Sequence, residues 1–153
     1  MLQTRRCSVA VLGGSGLIGK GGQKEVPLVF AYGTLMRCGW NHDHFLAGAE
    51  FLGTAKTINR YALMISPETL LPFLTEKPAV HVSGEVYLVR DSDLRAIDWL
   101  ETSAGYLPSR IDVELIGSGS VVSCVAYTWE GDTAGFIDVP TGDWFDVVST
   151  GGR

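Results

Sequence analysis

Only one stretch of this chain, residues 92–101, carries convincing helical periodicity, and it stands among short strand-like segments. That arrangement narrows the folds available. Residues 26–33 (VPLVFAYG) are a continuous apolar run ending in Gly33, which reads as a buried strand. Residues 49–57 alternate loosely, and residues 61–66 (YALMIS) read as a strand stopped by Pro67. Residues 81–89 place Val82, Gly84, Val86 and Leu88 on one face. Residues 109–116 alternate through Ile111, Val113 and Leu115. Gly117, Ser118, Gly119 and Ser120 then supply a turn into residues 121–129, the expected hairpin partner. Ser92 or Asp91 is the expected helix cap, with Asp93 in the first turn favouring the helix dipole. A shorter helical turn is expected around residues 44–48. Past Gly131 the pattern is poor and reads as a tail packed by Phe136, Trp144 and Phe145. Many strands around one helix predict a small barrel-like sheet, antiparallel or mixed.

The 153 residues suit one domain. Apolar residues make up 46% and charged residues 19%, a balance that excludes a disordered chain. No apolar run approaches the ~20 residues that span a bilayer, so no membrane partner is expected. All 17 acidic residues fall after residue 24, whereas Arg5, Arg6, Lys20 and Lys24 precede that point. The acidic body argues against nucleic acid, which needs a basic face. The composition break divides the chain into an N-terminal extension, 1–24, and a domain, 25–153. Cysteines stand at 7, 38 and 124 without a C-x-x-C pair, which argues against a zinc site or a disulfide framework. A reducing, cytoplasmic setting is the simpler expectation. The acid-free, Arg-containing extension leaves organelle targeting as the alternative.

The glycine-rich segment 9–19 (VAVLGGSGLIG) imitates two nucleotide motifs. Gly14 to Lys20 fits G-x-x-x-x-G-K, but Gly21 occupies the place of the magnesium-binding hydroxyl. Gly14, Gly16 and Gly19 fit G-x-G-x-x-G, but Gly21, Gly22 and Pro27 leave no room for the helix that must follow. Neither reading holds, and no cofactor is expected.

Two features beyond the break carry chemistry. Tyr32-Gly33-Thr34-Leu35 follows a buried strand, and Gly33 permits a sharp turn and close approach of a ligand to the main chain. Exposed amides in such a turn can hold an anion. The same four residues can equally be a plain turn. Glu101 follows Leu94 and Ile97 at i+7 and i+4. At about 100° per residue it falls roughly 20° from Leu94, along the apolar face. A carboxylate there needs a partner or a task. Alternatively, the helix frays before residue 101 and Glu101 faces water. Asn41-His42-Asp43-His44 contains metal-ligand types, but its histidines, two residues apart, project to different sides of a helix, so no metal is expected. Cys38 near His42 lacks any group that orients the pair as a thiol nucleophile, and no G-x-S-x-G is present.

Residues 29–35 (VFAYGTL), with Arg37, Asn41-His42 and Leu46, resemble the opening of the γ-glutamylcyclotransferase family. Gly84-Glu85-Val86-Tyr87 and residues 94–101 (LRAIDWLE) resemble its second signature. The resemblance spans roughly residues 27–130. It implies an α+β fold, a small mixed β-barrel with flanking helices. It also implies cyclisation of a γ-glutamyl group to 5-oxoproline with release of an amine, on a small-molecule γ-glutamyl substrate. By the same resemblance, Tyr32, Gly33, Thr34 and Leu35 bind the glutamyl moiety and Glu101 is the catalytic residue. Tyr-Gly-Thr-Leu followed by Asn41-His42 looks closer to the γ-glutamylamine branch, which cleaves γ-glutamyl-ε-lysine. Residues 102–110 (TSAGYLPSR) depart from that branch, with Tyr106 and Arg110 as candidate pocket residues. The rival expectation is a non-catalytic binding module of the same fold.

Overall fold

A computed structural model describes residues 27–148. The readings made for residues 1–24 lie outside the described residues. The elements run β1 (Leu28–Ala31), α1 (His42–Phe45), β2 (Glu50–Thr57), β3 (Tyr61–Ile65), β4 (Pro72–Val80) and β5 (Ser83–Leu88). They continue with α2 (Asp91–Ser103), β6 (Leu107–Leu115), β7 (Val121–Thr128), β8 (Ile137–Asp138) and α3 (Trp144–Val148). Strands β1, β5, β2, β6 and β7 close into a barrel, and β4, β3 and β8 form a second sheet. The barrel pairings are antiparallel except β1 with β7, which meet in parallel at Val29 and Val125. This is the mixed barrel with flanking helices that the sequence led us to expect.

The residue pattern explains the register. In β6, Ile111 and Val113 turn inward while Arg110, Asp112 and Glu114 stay exposed. Strand β1 is paired along both edges, so its unbroken apolar run is buried as predicted. In β5, Glu85 and Tyr87 are buried as well as Gly84 and Val86, because the loop after β1 covers the face expected to be outer. Strand β4 was not anticipated. It begins and nearly ends with prolines, pairs only with β3, and exposes Glu76 to Ala79, so it lacks the alternation that marks a strand.

Helix α2 begins one residue earlier than expected. Its N-cap is Arg90, with no side-chain cap; Asp91 and Ser92 lie inside the first turn, and Arg90 pairs with Asp93 at 3.1 Å. Ile97 is fully buried, which contributes about 1.5–3 kcal/mol. The helix does not fray before residue 101. It runs to Ser103, and the N–H groups of Ala104 and Tyr106 both donate to the Glu101 carbonyl, at 3.1 and 3.0 Å. Gly105, at φ +102°, then turns the chain into β6.

The tail packs by its aromatic residues, as the sequence indicated. Trp144 is fully buried and donates from Nε1 to the Leu70 carbonyl at 2.8 Å. Phe136 stacks on Phe73 with ring centroids 4.3 Å apart. Cys124 is a buried free thiol. Among the described residues no helix is long and apolar enough to cross a membrane.

Candidate active site

A cavity of about 200 Å³ opens between the end of β1 and the end of α2. That is below the ~300–1,000 Å³ usual for drug-sized ligands and suits a small one. Tyr32, Gly33, Thr34 and Leu35 line one side, and Leu100, Glu101 and Ala104 the other. Tyr106 and Tyr127 close the wall. The structure thus brings together Glu101 and the four loop residues that the family resemblance assigned to the site. A second depression, about 570 Å³ in volume between β3, β4 and Trp129, contains none of them.

The loop from Gly33 to Asn41 folds on itself. Met36 N–H donates to the Gly33 carbonyl at 2.9 Å, Gly39 N–H to Met36 at 2.7 Å, and Asn41 N–H to Thr34 at 3.0 Å. A Cβ at Gly33 would collide with the Pro72 ring, and one at Gly39 with the Thr34 carbonyl, so both positions demand glycine. This coil leaves the N–H groups of Gly33, Thr34 and Leu35 without an acceptor among the described residues. Three successive unengaged amides at a cavity wall suit an anionic group.

Glu85 fastens the loop from behind. One carboxylate oxygen accepts from the Arg37 backbone N–H at 2.9 Å and from the Tyr87 hydroxyl at 2.8 Å. The other accepts from Arg37 Nε and Nη2, both at 3.3 Å. The guanidinium also lies 3.9 Å over the Phe51 ring. His42 Nδ1 is 2.9 Å from the Leu35 carbonyl, so its ring steadies the loop.

Glu101 is the opposite case. No hydrogen bond reaches its carboxylate from the described residues, and burial pushes its pKa up to about 7. It keeps some open surface because it faces the cavity. The tyrosines around it stay protonated. Burial raises Tyr32, Tyr106 and Tyr127, and the nearby Glu101 charge raises each further. Tyr32 donates to the Tyr127 carbonyl, Tyr106 to the Pro72 carbonyl at 2.7 Å, and Tyr127 to Asp98 at 3.2 Å. Among the described lining residues, Glu101 alone is poised to exchange a proton near neutrality.

Tyr106 lines the cavity, as the sequence suggested. Arg110 does not: it is exposed on β6 and reaches Ser123 at 3.5 Å. Its place in the β-alternation opposite Ile111 already pointed it outward. Sequence reasoning missed Tyr127, which has no local mark, and the Leu71–Pro72 wall, which lies where the strand that was not anticipated begins.

The sequence matches the family described as gamma-glutamyl cyclotransferase, AIG2-like, over residues 29–146. It is 33% identical over 131 residues to gamma-glutamylaminecyclotransferase B of Danio rerio, covering 79% of this chain and 69% of that protein. It is 34% identical over 125 residues to the Bos taurus gamma-glutamylaminecyclotransferase, covering 77% and 74%. The crystal structure of an AIG2-like protein from Mus musculus superposes with a TM-score of 0.63 at 31% identity, covering 69% of this chain and 78% of that one. Taken with the barrel and its cavity, these likenesses show that the chain belongs to the gamma-glutamyl cyclotransferase, AIG2-like family of enzymes.

Proposed function

We propose that this protein is a γ-glutamylaminecyclotransferase that releases an amine, such as lysine from γ-glutamyl-ε-lysine, and forms 5-oxoproline. The observation that carries the reading is Glu101: an unpartnered carboxyl, pushed up to about 7, facing three unengaged amides across one small cavity.

The chemistry needs little machinery. The substrate's α-amine attacks its own γ-carbonyl carbon, so both reactants are delivered in one molecule and the site has only to hold the folded conformer. Glu101 accepts the proton the amine loses on bonding to carbon. It returns that proton to the departing nitrogen as the carbon–nitrogen bond breaks. A carboxyl with a pKa near 7 can do both. The amides of Gly33, Thr34 and Leu35 hold the α-carboxylate or steady the oxyanion that forms on the γ-carbonyl. Neither step calls for a metal or an organic cofactor.

The cavity also favours an amine as leaving group. No Lys, Arg or His is among its described lining residues. In γ-glutamyl-alanine the leaving group carries a carboxylate one carbon from the scissile bond, which would be buried beside Glu101 without a cation. In γ-glutamyl-ε-lysine five carbons separate the two, so the charge can stay in water. Comparison of kcat/KM for γ-glutamyl-ε-lysine, γ-glutamyl-alanine and glutathione, with 5-oxoproline as the product measured, tests the reading. A preference for γ-glutamyl-ε-lysine is expected. The reverse preference would overturn the amine assignment, and binding without release of 5-oxoproline would make the chain a binding module.

A further inference from the structure

Asn41 stands at the N-cap of α1, where an asparagine ordinarily turns its side-chain oxygen onto the first amides of the helix. Here it makes no such cap. Its Nδ2 instead donates to Thr34 Oγ1 at 3.0 Å, while its backbone N–H donates to the Thr34 carbonyl, also at 3.0 Å. Both residues line the cavity that holds Glu101. Thr34 Oγ1 receives that bond and donates to no acceptor among the described residues.

A hydroxyl has two lone pairs and one hydrogen. With the Asn41 amide occupying one lone pair, the hydrogen is turned away from Asn41, on a residue whose own amide faces the cavity. We propose that Asn41 is a positioning residue. It fixes the rotor of Thr34 so that the hydroxyl donates to the α-carboxylate of the γ-glutamyl group, completing the anion site begun by the three loop amides. The inference rests on the function proposed above. It adds a residue that acts through Thr34 rather than on the substrate.

The distinguishing property is direction. An amide donates to Oγ1, whereas a carboxylate of the same shape would accept from it and draw the hydrogen off the substrate. The test measures kcat and KM on γ-glutamyl-ε-lysine, and Kd for 5-oxoproline by calorimetry, which reads the anion site without turnover. The proteins are the wild type, Asn41→Ala, Asn41→Asp, Thr34→Val and the double variant Asn41→Ala with Thr34→Val. Asn41→Ala should raise both KM and Kd about tenfold, the scale of one hydrogen bond to a charged group. Its kcat should move by less than about threefold. Asn41→Asp should be worse than Asn41→Ala. The double variant should be no worse than Thr34→Val alone, because Asn41 has nothing left to orient.

Wild-type affinity in Asn41→Asp would overturn the proposal. So would an equal effect of Asn41→Ala with and without the Thr34 hydroxyl, or a loss confined to kcat. The backbone bond from Asn41 to Thr34 survives every substitution, and if Asn41→Ala still fails to fold, the near-isosteric Asn41→Asp decides. If the wild type neither binds nor releases 5-oxoproline, the functional reading falls and this one with it. If it does both while the effects add, only the role of Asn41 falls.

Discussion

Two carboxylates flank the loop that follows β1, and they are treated in opposite ways. Glu85, behind the loop, is buried and accepts four hydrogen bonds from Arg37 and Tyr87. Glu101, in front of it, is largely enclosed yet accepts none from the described residues. A buried carboxylate with its lone pairs filled is an anchor, because moving it would strand every donor around it. A carboxylate with empty lone pairs prefers its neutral form and is free to take a proton from whatever enters. The difference between structure and chemistry here lies in what surrounds each glutamate, since the residue type is the same.

Exchanging each for a neutral residue should separate the two roles. The largest expected effect is on turnover: Glu101→Gln should lose about 100-fold or more in kcat, the usual range for a general acid–base, with KM little changed. Near-full turnover in a folded variant would remove Glu101 from the mechanism. Glu85→Ala should act on stability, by about 2–3 kcal/mol, because the Arg37 guanidinium, the Arg37 N–H and the Tyr87 hydroxyl all lose their acceptor. Urea unfolding measures this, and a midpoint equal to wild type would show that the anchor is dispensable.

A smaller effect sharpens the contrast from the other side. The folded pKa of Glu101, about 7, lies above its ordinary 4.5. Protonation therefore favours the folded state. The group's stabilising contribution is fully present below pH 4.5 and is lost as pH rises through 7. Glu101→Gln escapes that loss, so it should be more stable than wild type at pH 8. An advantage of about 1–2 kcal/mol is expected once the open side of the cavity is allowed for. The advantage should vanish below pH 4.5, and melting curves at the two pH values decide it. The smallest effect should be none at all: EDTA is expected to leave activity unchanged, and loss of turnover restored by zinc would refute a metal-free mechanism.

Much of the barrel was legible because its strands obey simple rules. The unbroken apolar run of β1 and the alternation of β6 each announced an environment that the fold supplies, and the Gly-Ser turn announced β7 as the partner of β6. Strand β4 was illegible because an edge strand with prolines near both ends and an exposed outer half has no reason to alternate. Glu101 could be placed by helical spacing alone. Whether the helix reached it could not, since its end depends on Gly105 and on the amides of Ala104 and Tyr106 closing over the Glu101 carbonyl. Tyr127 entered the cavity through tertiary pairing alone: its neighbours in β7 mark a strand and say nothing of what that strand will face.

The parallel contact between β1 and β7 has a kinetic consequence. Strand β1 finds its neighbours only in β5 and β7, far along the chain, at pairings such as Val29 with Val125. Closing so long a loop is entropically expensive, and topologies dominated by distant contacts fold slowly. The loop of Tyr32 to Leu35 hangs from the end of β1. During refolding from urea, ligand binding should therefore return with the last and slowest phase, the seam that completes the cylinder, rather than with the early β6–β7 hairpin.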